Sequence, residues 1–182
     1  MLSATVSERF DIVVRMFVLG IDPGLTRCGY GVVDWRGPNR VKAVSAGVIR
    51  TNHSEELPKR LATLHREVTE LVVEFAPEIV AIERVLFQVN VSTAMAVGHA
   101  SGVVMAAGAS AGCRVVQYSP NEIKLAVTGY GNADKQQVER MVRAQLNLDV
   151  ELKPVDAADA VAVALCHTAI EGVPVPATPT PS

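Results

Sequence analysis

Two short apolar runs each end on an acid, and this arrangement constrains the fold more than any other feature of the chain. Phe17-Val18-Leu19-Gly20-Ile21 is closed by Asp22, and Ile79-Val80-Ala81-Ile82 is closed by Glu83. Runs of this length bounded by turn residues, here Pro23-Gly24 after the first, read as buried strands. A carboxylate that completes a buried strand is costly unless something compensates it. Side chains at strand ends emerge at the sheet edge while packing fixes the strand behind them, and α/β folds present their chemistry there.

The remaining pattern places these strands in a mixed sheet. Segments 29–35 and 41–50, separated by Gly37-Pro38-Asn39, predict a meander with the first strand. From Glu55 to Phe75 the apolar positions Leu57, Leu61, Leu64, Val68, Leu71, Val72 and Phe75 recur at helical spacing, with Pro58 tolerated in the first turn and Pro77 ending the pattern. After the strand at 79–83, a helix is expected over 92–110 and a strand over 114–118. Ser119-Pro120-Asn121-Glu122 has capping-box spacing with proline at the first helical position, which predicts a short helix to about Val127. Gly129-Tyr130-Gly131 breaks it, a helix resumes over 134–146, and Pro154 precedes the last one. Strands paired first as a meander and then alternating with helices imply an α/β fold, a mixed sheet with helices packed on its faces.

Length and composition fit one domain, expected over 17–171, with an N-terminal extension at 1–16 and a disordered proline-rich tail at 172–182. The net charge of -2 offers no global attraction to nucleic acid, so any such binding must come from a local basic surface. Cys28, Cys113 and Cys166 are odd in number and lack a CxxC pair, which fits reduced thiols in a cytoplasmic protein and disfavours a zinc site. Residues 1–16 lack the apolar core of a secretory peptide. The apolar stretches 93–112 and 155–170 are interrupted by His99 or by Asp156 and Asp159, so no membrane span is expected.

Asp156 and Asp159 are three apart at the start of the last helix, so they share a face where the backbone dipole favours negative charge. Taken singly, each acid has a structural explanation. Asp22 before Pro-Gly suits a turn, Glu83 could meet a basic residue from another segment, and the aspartate pair could be a solvated helix start. Brought together, the four would repel one another unless a cation sat among them, and hard oxygen ligands suit Mg²⁺ or Mn²⁺. The chemistry expected of such a cluster is phosphodiester hydrolysis, with two ions about 3.5–4 Å apart and no covalent intermediate.

Gly20-Ile21-Asp22-Pro23-Gly24-Leu25-Thr26-Arg27-Cys28-Gly29, Ala81-Ile82-Glu83-Arg84-Val85, Ala126-Val127-Thr128-Gly129, Ala133-Asp134-Lys135 and Asp156-Ala157-Ala158-Asp159-Ala160 together resemble the RuvC family of Holliday-junction resolvases, over about residues 17–170. Asp-Pro-Gly alone opens other ribonuclease-H-like and actin-like folds, and the specificity lies in all the motifs occurring in this order. The resemblance implies a ribonuclease-H-like mixed five-stranded sheet, a homodimer, and paired symmetric nicks across four-way junction DNA in recombination and repair. It also implies that Asp22, Glu83, Asp156 and Asp159 bind the catalytic metal, and that Lys124 and Lys135 contact phosphates or assist the reaction. A branch-migration motor is the partner complex the family suggests.

One departure concerns the DNA contact. Where the family carries a phenylalanine that stacks on an unpaired base, this chain has Leu86, and the ring follows at Phe87. Phe87 either takes the stacking role, worth about 1–3 kcal/mol per base, or belongs to the core. Arg84, Lys124, Lys135, Arg140, Arg143 and Lys153 are available for a basic patch that holds phosphates without reading sequence. His167 lies too far along its helix from Asp156 to join the acids and is expected to pack inside or at an interface. Ala94, Gly98, Gly102 and Ala106 recur at steps of four, a stripe suited either to a dimer contact or to close packing within the chain. Two other functions compete with a nuclease. One is a junction-binding protein without catalysis, and the other is an actin-like phosphotransferase, against which the lack of a P-loop and of chain for a second lobe weighs.

Overall fold

In the computed structural model, residues 15–84, 91–149 and 151–171 are described. Leu86 and Phe87, and with them the stacking role, lie outside these residues, as do most of the expected N-terminal extension and the tail. The chain forms β1 (Met16–Asp22), β2 (Arg27–Trp35), β3 (Val41–Arg50), α1 (Leu57–Phe75), β4 (Ile79–Glu83), α2 (Val91–Ser110), β5 (Arg114–Tyr118), α3 (Pro120–Thr128), α4 (Lys135–Leu146) and α5 (Val155–Ile170). The extension expected to end at residue 16 is in part ordered structure. Met16 pairs with Trp35, while Arg15 bonds Asp34 and lies over the Phe17 ring.

The five strands run in the order β3-β2-β1-β4-β5. The meander pairs antiparallel, whereas β1 with β4 and β4 with β5 are parallel, as expected for strands separated by helices. Period-two alternation divides the apolar side chains between two cores. Val18, Val33, Ile79 and Ala81 pack with α3, α4 and α5, and Leu19, Ile21, Val32, Val80 and Ile82 pack with α1 and α2. By the same parity Asp22 and Glu83 belong to the face that carries α5. The register pairs Ile21 with Ile82, so the two acids stand side by side where β1 and β4 end.

Helix α5 lies unusually close to the sheet because its contact surface is alanine and the strands meet it with glycine. A Cβ built on Gly20 would fall 2.1 Å from the Ala160 carbonyl oxygen, and one on Gly29 would fall 2.0 Å from the Asp156 carbonyl oxygen. Ala157, Ala160, Ala162 and Ala164 are fully buried along the helix. This contact brings the first turn of α5, with Asp156 and Asp159, down onto the ends of β1 and β2.

The other face of the sheet is covered differently. Helix α1 carries Pro58 in its first turn, as expected, and buries Leu64, Val68 and Val72. Helix α2 is apolar all round and is long and apolar enough to cross a membrane by length and composition, yet one side of it is core, through Ala100, Ser101, Val104, Ala107 and Gly108. Its opposite side is uncovered by the described residues. Val91 is 76% and Met95 56% exposed, and a Cβ on Gly98 or Gly102 would meet nothing within 4 Å. Among the described residues, Gly98 and Gly102 of the small-residue stripe thus have no packing partner within the chain.

The Gly20 contact is testable. Gly20→Ala should destabilise the protein by about 2–4 kcal/mol through overpacking against backbone and lower Tm by roughly 5–12 °C. Circular-dichroism melting measures this, and an unchanged melt would mean that α5 does not rest on this glycine.

Candidate active site

Each acid reaches the site on a differently built support. Asp22 and Glu83 ride on the buried central strands, while Asp156 and Asp159 ride on the α5 turn that the glycines admit. The basic residues come from two capped helices. Ser119 closes a capping box with Glu122 and starts α3, which carries Lys124, and Asp134 closes one with Gln137 and starts α4 at Lys135. The sequence predicted the first box; the second makes Asp134 a cap and not a ligand.

Asp22, Glu83, Asp159, Lys124 and Lys135 line one pocket of about 300 Å³ whose remaining wall is Pro120, Ile123, Val138 and Ala162. The pocket lies where α3 and α4 begin, so the positive ends of two helix dipoles face it. Of the sequence-predicted residues, Asp156 stands at its rim, with Oδ2 accepting from Arg27 Nε at 2.7 Å and from Arg27 Nη2. Arg84 also lies outside the pocket, exposed, with Nη2 3.4 Å from the Gln117 carbonyl oxygen.

The electrostatics are those of a crowded acid cluster. Burial, then the charges of Asp159 and Asp156, push the Asp22 carboxyl up to about 6. Burial, then Asp22 and Asp159, push Glu83 up to about 7. The two carboxyls stand within hydrogen-bonding reach of each other, so one proton between them relieves the repulsion. Asp159 is held by Lys135 Nζ at 3.2 Å, and that carboxylate in turn raises the lysine's pKa. Lys124 makes no ion pair among the described residues.

No three His, Cys, Asp or Glu side chains among the described residues form a ready-made cage for a metal ion. The reason is visible in the pairs: Asp156 and Asp159 are turned to Arg27 and Lys135, and Asp22 and Glu83 to each other. The donors are nonetheless all carboxylate oxygens, and a cluster that retains protons near neutrality is one a hard divalent cation relieves. Arg27 is the site residue that sequence reasoning missed. It stood inside the first motif, but its partner lies 129 positions away, and no local spacing announces such a pair.

His167 is kept out of the site, as expected. It is fully buried, with Nδ1 2.7 Å from the Tyr118 hydroxyl, and burial pushes its pKa down to about 4. Cys28, Cys113 and Cys166 are free thiols.

This architecture, a mixed five-stranded sheet with carboxylates at the ends of its central strands and a helix packed directly on the sheet supplying two more, defines a ribonuclease-H-like fold. The model of the family crossover junction endodeoxyribonuclease RuvC matches residues 18–167, and the chain belongs to that family. Relatives of that name are 51% identical over 152 residues in Salinispora arenicola, spanning 84% of this chain and 87% of the relative, and 45% identical over 152 residues in Alkaliphilus oremlandii, spanning 84% and 92%. The Thermus thermophilus RuvC structure is 39% identical with a TM-score of 0.80, covering 86% of this chain and 95% of that one. The same protein in complex with a Holliday junction substrate is 38% identical with a TM-score of 0.82, covering 86% and 94%. A yeast mitochondrial Holliday junction resolvase, Ydc2, shares the fold at 17% identity, with a TM-score of 0.59 and coverage of 84% and 78%.

The acid pair sets a pH dependence. Because Glu83 is raised in the folded protein, between pH 4.5 and about 7 the native state keeps a proton that the unfolded chain has released, so stability falls as pH rises through that window. In chelator-treated protein, wild type should lose on the order of 3 kcal/mol more than Glu83→Gln between pH 4.5 and 8. Urea titrations at the two pH values measure it, and parallel losses would contradict the assignment.

Proposed function

We propose that this protein is a metal-dependent, structure-specific endonuclease that resolves Holliday junctions by paired symmetric nicks in recombination and DNA repair. The observation that carries the reading is the convergence of Asp22, Glu83 and Asp159 with Lys124 and Lys135 on one pocket, with Asp156 at its rim. Membership of the RuvC family supports the same conclusion. The nuclease domain is assigned to 17–171, flanked by the two terminal segments.

Asp22, Glu83, Asp156 and Asp159 would hold Mg²⁺, for which Mn²⁺ is the natural substitute given the all-oxygen donors. When bound, the cation would supply Lewis-acid stabilisation of charge developing on the phosphodiester oxygens. The chain's own residues do the rest. The two central strands hold Asp22 and Glu83 against the repulsion between them, so the cluster is preorganised before the substrate arrives. Lys124 at the pocket wall, with no ion pair among the described residues, meets a non-bridging phosphate oxygen, and Lys135 at the first position of α4 adds its charge to the helix dipole. Arg84 at the rim contacts the neighbouring backbone, and Phe87 is assigned the base-stacking role.

Two like nicks need two sites, and a two-fold protein matches the symmetry of the four-way junction. The open side of α2, through Val91, Met95, Gly98 and Gly102, supports a homodimer contact: it is an apolar face on an apolar helix where small residues permit close backbone approach. A chromosomal DNA substrate places the enzyme in the cytoplasm, and a branch-migration motor is the partner that would present junctions to it.

Purified protein with Mg²⁺ should nick a synthetic four-way junction symmetrically, while Asp22→Asn should bind it and cut at least about a thousandfold more slowly, the loss of several kcal/mol of charge stabilisation. Full cleavage by Asp22→Asn would refute the site. Gly98→Arg should convert the dimer to a monomer in sedimentation, with cleavage of the junction falling in step. A variant that remains dimeric would move the interface elsewhere.

A further inference from the structure

The pair between Arg27 and Asp156 has features of a bond built to exchange. Both donors of the guanidinium edge, Nε and Nη2, converge on the single oxygen Oδ2, leaving Oδ1 and the other terminal nitrogen of Arg27 without a partner among the described residues. Neither side chain is sealed, with Arg27 40% and Asp156 28% exposed. The two deeper acids, Asp22 and Glu83, have no basic group within ion-pair distance among the described residues. The cations are thus confined to the outer acids, Asp156 and Asp159.

Arg27 also opens a basic strip whose other members have no ion pair among the described residues. It opens β2 directly opposite Arg50, which closes β3, an unfavourable placement for two like charges unless an anion lies against them. Beside them Arg60 reaches back from α1, Nη2 donating to Thr26 Oγ1 at 2.7 Å and Nε to Thr51 Oγ1 at 3.0 Å. Among the described residues neither Arg50 nor Arg60 has a carboxylate within 4 Å. Three arginines are therefore placed from the carboxylate cluster along the end of β2 and β3 to α1, a local basic surface of the kind that holds a polyanion by its backbone.

We propose that Arg27 is an exchangeable counter-ion: it neutralises Asp156 while the metal is absent, and when a divalent cation takes the Asp156 oxygens it swings onto a DNA backbone phosphate at the head of the Arg27, Arg50 and Arg60 strip. This rests on the metal-dependent nuclease reading given above. It makes metal loading and backbone binding mutually reinforcing, because each removes the competitor of the other. Arg27 is on this account a DNA-contacting residue in the loaded state and a place-holder in the free one. A residue that merely orients Asp156 would behave in the opposite way towards metal.

The test uses the full chain, wild type and Arg27→Gln, with Arg27→Lys as the charge-retaining variant and thermal melting to establish that each is folded. Mn²⁺ alone, followed by electron paramagnetic resonance without DNA, should bind Arg27→Gln roughly twofold to fivefold more tightly than wild type, the effect of removing a partly exposed competing ion pair. Weaker Mn²⁺ binding by Arg27→Gln would make Arg27 a positioning residue for Asp156 and overturn the proposal. Junction binding is then measured against salt with Ca²⁺ as the probe cation, and a denaturing gel verifies that no strand has been cut. With Ca²⁺ the slope of log K against log salt should be shallower by about 1 in Arg27→Gln than in wild type, with no difference in chelator, and Arg27→Lys should recover most of the slope. Equal slopes in Ca²⁺, or a difference that persists in chelator, would defeat the exchange. If wild type fails to cut the junction in Mg²⁺, the resolvase reading falls instead, and the Mn²⁺ measurement still decides what Arg27 does to Asp156.

Discussion

The contact between α5 and the β1–β2 ribbon governs this structure. A helix normally stands off a sheet by the thickness of two side-chain layers, and here that thickness is removed on both sides, by glycine on the strands and by alanine on the helix. The gain is positional. Two acids on a helix and two on strands come from three separate segments of the chain, and they reach one place only because Ala160 and Asp156 set their carbonyl oxygens almost onto Gly20 and Gly29. Any larger residue at those glycines would lift the first turn of α5, and with it half of the carboxylate cluster, away from the strand ends. Packing in this molecule is therefore a condition of its chemistry.

Bringing four carboxylates together creates a charge problem that the protein handles in layers. The inner pair, Asp22 and Glu83, is shielded from solvent and keeps a proton, while the outer pair is matched by guanidinium and ammonium groups at the rim. The division follows from burial. A lysine or arginine brought into the inner layer would be desolvated along with its partner, whereas at the rim both remain partly hydrated and the bond is cheap to break. On the proposed reading, this layering would let the inner acids exchange protons for a cation and the outer ones exchange one cation for another.

Much of this was legible in the sequence, for reasons that can be located. Strand-terminal acids are conspicuous because the apolar runs before them are uninterrupted, and the Ser119 box because its spacing is fixed by backbone geometry. The elements were found within a residue or two of their observed ends, since helix and strand periods are local properties. What escaped notice is non-local or lacks a side chain. The Arg27–Asp156 pair joins a strand to a helix across the whole domain, and no periodicity relates them. Gly20 and Gly29 read as punctuation, whereas their role is to be absent where a helix must pass. Met16, assigned to an extension, opens β1 opposite Trp35, and Arg15 just before it bonds Asp34 on the neighbouring strand β2, a partner that lies 19 positions along the chain.

Helix α2 illustrates a limit of a different kind. A helix with one buried and one exposed face ordinarily announces itself by charged residues on the outside, and α2 has none, so its sequence is nearly as compatible with burial all round as with burial on one side. The two faces differ instead in the size of the residues and in what lies beyond them. Gly108 sits against Val80 and Val115 at contact distance, while Gly98 and Gly102 face open space. An exposed apolar stripe in a protein whose substrate is a two-fold branched DNA has an economical explanation in a second copy of the same chain. In the homodimer proposed above, symmetry would turn the face that composition left unexplained into the element that sets the separation of the two cutting sites.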